Sequence, residues 1–140
     1  MNPVRLLLVV VMASLVISGS ATSQTAAAGK PRVTQVVLTD VVDGTQNKTL
    51  FGTTTPSIYA YFWLDQVPSN TTLTCVWVAE KTAVAAPNYQ IDRVELKVGG
   101  LINRGQCSLS KPTNNWPAGD YRLDIYLGTE VSAGARFRIR

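Results

Sequence analysis

The sequence predicts an all-β protein, an antiparallel sandwich of about seven strands behind an N-terminal export signal. Three observations carry this. From residue 32 onward the apolar residues recur with a period near two, the spacing at which side chains share one face of a strand. Clusters of Gly, Pro, Asn and Thr separate these runs at short intervals, and no stretch shows the 3.6-residue stripe of a helix. Of the 140 residues, roughly 110 remain once an export segment is set aside, enough to bury one modest core.

The first 23 residues have the organisation of a secretory signal. Arg5 supplies a basic n-region, residues 6–17 are apolar without a charge, and Ser18, Gly19, Ser20, Ala21, Thr22 and Ser23 supply small residues for cleavage. The apolar core is too short to span a bilayer comfortably, which takes about 20 residues. The expected product is a secreted or periplasmic chain with no stable membrane span after cleavage. Residues 24–31 read as a flexible leader rich in Ala and Thr, and residues 32–140 as the folded domain.

The strands follow in order. Residues 33–42 form the first, ended by the Asp43-Gly44 turn signal. A short edge strand fits at 49–51. Residues 57–64 are the most apolar run, residues 71–81 the next, then 90–98 with Val94, Leu96 and Val98 on one face. Gly99-Gly100 breaks the pattern. A short strand at 105–110 and a proline-containing loop at 111–119 precede residues 120–127, where Tyr121, Leu123, Ile125 and Leu127 alternate with Arg122, Asp124 and Tyr126. Residues 131–140 close the domain with Phe137 and Ile139 inward. Strands without crossover helices assemble as an antiparallel sandwich or barrel.

The segment Trp116-Pro117-Ala118-Gly119-Asp120-Tyr121-Arg122-Leu123-Asp124-Ile125-Tyr126-Leu127, with Phe137-Arg138-Ile139 after it, resembles the last two strands of secreted bacterial immunoglobulin-like or fibronectin-like domains. The resemblance implies an immunoglobulin-like β-sandwich. It implies little about function, because such sandwiches host many unrelated roles.

Composition excludes several chemistries. There is no histidine, which removes Ser-His-Asp and Cys-His arrangements and most zinc sites. No acidic calcium loop is present, so no metal and no cofactor are expected. The net charge of +4 comes from scattered Lys and Arg, and it does not argue for nucleic acid. Ser108 and Lys111 have a Ser-x-x-Lys spacing that needs a helix to bring the pair together, and here it falls at a strand end. The sequons at Asn47 and Asn70 mark surface loops.

The remaining candidates concern binding. Cys75 and Cys107, the only cysteines, each fall on the inward side of an alternating strand, as expected for a disulfide in an exported chain. Tyr59, Tyr61 and Trp63 alternate along one strand and are candidate ligand-binding aromatics, either for stacking on sugar rings or for cross-strand packing. Arg136, Arg138 and Arg140, with Arg122 beside them, form a candidate basic stripe, either for an anionic surface or for guarding a sheet edge. The function expected is a non-enzymatic binding or interaction domain for a protein or glycan partner. Two other readings stand beside it: a carbohydrate-binding module using the aromatic strand, and a protease inhibitor presenting loop 83–89 or 111–118.

Overall fold

The computed structural model describes residues 29–140, so the expected signal segment 1–23 and most of the expected leader 24–31 lie outside the described residues. Eight strands are present: β1 (Arg32–Thr39), β2 (Leu50–Phe51), β3 (Ser57–Asp65), β4 (Thr72–Thr82), β5 (Tyr89–Lys97), β6 (Arg104–Ser110), β7 (Gly119–Leu127) and β8 (Glu130–Ile139). They form a three-stranded sheet, β1-β3-β6, and a five-stranded sheet, β2-β8-β7-β4-β5. Every pairing is antiparallel except that of β2 with β8. The fold is an immunoglobulin-like β-sandwich, as the sequence predicts, with the two-residue β2 where the short edge strand at 49–51 is expected.

The two inner faces interdigitate. Leu38, Ile58, Ala60, Phe62, Leu73, Cys75, Trp77, Leu123, Ile125 and Ile139 are all buried. β3 is apolar on both faces, so alternation alone leaves its orientation open. Gly105 of β6 decides it. This glycine sits opposite Phe62, and a Cβ there would lie 2.0 Å from the Phe62 ring. Only a residue without a side chain leaves room for that ring to point inward, which sends Tyr59, Tyr61 and Trp63 to the outer face.

Phe137 is the hub of an aromatic cluster. It stacks on Tyr121 at 5.4 Å and meets Phe51 and Trp77 edge-on at 5.7 and 6.1 Å. Packing of Phe51 on this hub, together with the bonds from Arg138 N–H to Thr49 and from Arg140 N–H to Phe51, holds β2 beside β8 despite its length. Aromatic pairs of this geometry contribute about 0.5–1.5 kcal/mol beyond their burial.

The first strand ends earlier than the alternation suggests. Residues 40–43 leave the sheet because Thr39 Oγ1 accepts the Val41 N–H, Gly44 N–H closes a turn on Val41, and Asp43 adopts a positive φ of 56°. Val41 and Val42 are consequently exposed.

The sandwich is closed on one side and open on the other. β1 leans on β8, where Val33 N–H donates to Ser132 Oγ at 2.8 Å. On the opposite side β5 and β6 are the free edges of their sheets, and among the described residues no strand bridges them.

Candidate functional site

The open side widens into a groove at the end where β4 turns into β5 and where β6 leaves for β7. Its volume is about 620 Å³. Ile91, Trp116 and Tyr121 form its floor, loop 83–88 contributes Val84, Ala85 and Ala86, and Pro112 and Pro117 close the far side. Val84 and Tyr89 stand on the rim, 73% and 56% exposed. No Lys, Arg, Asp or Glu lines the groove, although eight ion pairs decorate the described surface.

The floor is rigid for reasons visible in the sequence. In the Pro117-Ala118-Gly119-Asp120-Tyr121 segment, the Tyr121 hydroxyl donates back to the Pro117 carbonyl at 2.5 Å. This is the corner by which immunoglobulin-like domains fix the start of this strand. Gly119 passes so close to β4 that a Cβ would lie 2.2 Å from the Lys81 carbonyl oxygen. Trp116 is pinned by its backbone N–H to Thr53 and by its indole Nε1–H to the Thr55 carbonyl at 2.6 Å. Burial pushes the Tyr121 phenol above its ordinary pKa. Across the groove, loop 83–88 is held by Asn88 N–H to the Glu80 carbonyl and by the Arg122 guanidinium to Asn88 Oδ1 at 2.7 Å.

Cys75 lies on β4 and Cys107 at the middle of β6, and they face one another between the two sheets. They approach to 2.6 Å, both buried, and stand as thiols in the structure. The contact with Cys75, and after it burial, push the Cys107 thiol well above its ordinary range. In antibody domains the inter-sheet bridge ends two residues after the corner tyrosine. That position here is Leu123, and the cysteine pair joins other strands. Trp77 is nevertheless fully buried on β4, the strand that carries the core tryptophan in those domains.

The aromatic row of β3 lies on the outer face but offers no continuous platform. Tyr61 is buried and its hydroxyl accepts the Asp43 N–H at 2.7 Å. Tyr59 stacks beside Tyr61, and the Arg104 guanidinium lies 5.0 Å over the Trp63 ring. Loop 40–44 and Arg104 thus cover much of the area that sugar stacking would need.

The four arginines share the outer face of the five-stranded sheet, with carboxylates between them. Arg122 pairs with Asp124 at 2.9 Å and with Glu80 at 3.4 Å. The bond to Asp124, ahead of that to Glu80, raises the Arg122 pKa. Arg136 also reaches Glu80, and Arg138 reaches Asp120, both at 3.1 Å. Arg140 makes no ion pair among the described residues. The stripe is therefore a mixed-charge network over most of its length. Lys111 bonds the Pro112 carbonyl and Asn115 Oδ1, so Ser108 and Lys111 are not brought together. Asn47 serves the fold, its Oδ1 accepting the Leu38 N–H.

Sequence reasoning missed the groove as a unit. A signal was present in residues 83–87, a loop of Ala, Val and Pro without a polar residue, where a connection in water is usually polar.

No family model matches the chain, and no curated protein does. Among solved structures it is similar to an immunoglobulin-like protein from Pseudomonas aeruginosa, with 15% identity over 82% of this chain and 100% of that one, at a TM-score of 0.57. It also overlaps part of an alkylpurine DNA glycosylase from Pseudomonas fluorescens, 14% identical over 79% of this chain and 30% of that one, at a TM-score of 0.47. The first of these likenesses agrees with the immunoglobulin-like sandwich described above, and it bears on fold alone.

Proposed function

We propose that this chain is an exported, non-enzymatic interaction domain that binds its partner through the groove between loops 83–88 and 111–118. The observation that supports this is the uncharged, apolar lining of the groove with Val84 and Tyr89 left exposed at its rim. Apolar area of this kind on a folded domain marks a surface that is covered in use. The rigid floor adds to the case, because a preorganised surface loses little entropy on binding. With no histidine in the sequence, Ser-His-Asp and Cys-His chemistry is not available to the chain.

The inward, facing placement of Cys75 and Cys107 supports a disulfide in the exported protein, and with it the export of the chain. The groove ranks above the aromatic row of β3 as a contact surface, because Tyr61 is buried and the Arg104 guanidinium lies over the half-buried Trp63.

The test compares capture of partners from the host's extracellular fraction by the wild-type chain and by Val84→Asp. The substitution places an unpaired charge on the rim without touching the core. Loss of a stoichiometric partner on substitution is the expected result. An unchanged partner set would show that the groove is not the contact surface.

A further inference from the structure

We propose that the chain forms a two-fold homodimer by antiparallel pairing of β6 with β6 of a second copy, each copy's loop 99–103 resting at the mouth of the other's groove. The inference rests on the groove being a binding surface and names its occupant.

The β6 edge is free and unguarded. The Asn103 carbonyl accepts the Leu64 N–H, and the Lys111 N–H donates to the Pro56 carbonyl, so the backbone of the odd-numbered residues here turns toward β3. Alternation then turns the N–H and C=O groups of Arg104, Gln106, Ser108 and Ser110 outward, where the sheet has no further strand among the described residues. Natural edges are blunted by proline, inward charge, lysine or a bulge. β6 carries none of these: its pairing with β3 runs without a register shift, and Arg104 is its single charge. The other free edge, β5, is guarded. It carries Asp92, Arg93, Glu95 and Lys97 and a register shift, and Asp92 Oδ1 already accepts the Arg93 N–H.

One register pairs all seven residues of β6 with themselves, and it places Cys107 on the two-fold axis. Gln106 then faces Ser108 of the second copy and Arg104 faces its Ser110. These are the residues with outward-turned backbone, so each facing pair exchanges two hydrogen bonds. On the inner side Gly105 faces Leu109, large against small. No like charges meet.

The same register carries the chain beyond β6 into apolar contact. Ile102 arrives beside Pro112 of the second copy, a lining residue of the groove, and Leu101 arrives beside its Thr113. Among the described residues Leu101 is fully exposed and Ile102 is 57% exposed. Loop 99–103 and the groove lining are both free of charge. Symmetry makes this contact twice, as a closed isologous interface requires.

The experiment places a photo-reactive residue at position 84 of the full chain in its host and follows the purified chain by sedimentation velocity. An adduct of twice the chain mass and a concentration-dependent dimer are expected. Ser108→Pro removes an outward N–H that serves only the second copy and leaves the bonds to β3 intact. It should weaken the dimer by at least roughly tenfold, with an unchanged melting curve at concentrations where the chain is monomeric. Leu101→Asp, in an exposed loop that cannot unfold the core, should weaken it likewise. A chain that stays monomeric up to about 100 μM, or a dimer that ignores both substitutions, overturns the proposal. An adduct of position 84 with a different protein, from a monomeric chain, overturns the dimer and leaves the groove reading standing. No adduct at all overturns both.

Discussion

Oxidation of Cys75 and Cys107 should stabilise the domain by an amount that the structure sets. The two residues lie on different sheets, so a bridge ties together halves that otherwise hold chiefly by packing. It closes a loop of about 30 residues, for which the chain-entropy model gives about 3–4 kcal/mol. A domain of about 110 residues loses roughly 0.2 kcal/mol per degree near its midpoint. The oxidised protein should therefore melt about 15 °C above the reduced one. The assay is thermal unfolding followed by circular dichroism, with and without reductant, on protein recovered from its native compartment. Thiol content must be read after unfolding, because the raised Cys107 pKa and burial of both cysteines keep even free thiols from reacting in the folded chain. Two alkylated cysteines in the unfolded, never-reduced protein would refute the bridge. A bridge that forms but shifts the midpoint by only a degree or two would refute the energetic argument instead.

Three further outcomes are expected. Tyr121→Phe deletes the bond to the Pro117 carbonyl and should cost about 1 kcal/mol in denaturant unfolding. Because the folded Tyr121 pKa is raised, its contribution is complete below the ordinary value of about 10 and is lost as pH rises through the folded pKa, so the variant should show a flatter alkaline limb of stability against pH. Gly105→Ala forces a Cβ against the Phe62 ring and should cost about 1–3 kcal/mol, whereas Gly128→Ala, where no atom lies within 4 Å, should show only the smaller strain of its positive φ. Replacing Arg136, Arg138 and Arg140 together with serine should leave the fold intact and lower stability by at most about 1–2 kcal/mol, since exposed ion pairs contribute about 0–1 kcal/mol each. Retention of cooperative melting checks this, and unfolding of the triple variant at room temperature would contradict it.

Much of the fold was legible because strands write their faces into the sequence. In β7, alternation placed Tyr121, Leu123 and Ile125 inward, and all three are buried. The same parity turned Cys75 and Cys107 each toward the core before any pairing was known. The Pro117 to Tyr121 segment carried its own corner, because a bond spanning four residues is a local matter.

What the sequence left open depends on residues far apart along the chain. The face of β3 was ambiguous until Gly105, more than 40 residues later, was found opposite Phe62. β2 is too short to hold itself, and exists through Phe137 and the end of β8. The arginines looked like a basic stripe because their carboxylate neighbour Glu80 belongs to another strand, 42 residues from Arg122. The groove is the clearest case. Its walls come from the loops after β4 and after β6, and its existence depends on β5 and β6 failing to meet. Local pattern determines which way a side chain points. Which edges close and which remain open is settled only when both sheets pack, because that balance is struck between surfaces that no single stretch of chain contains.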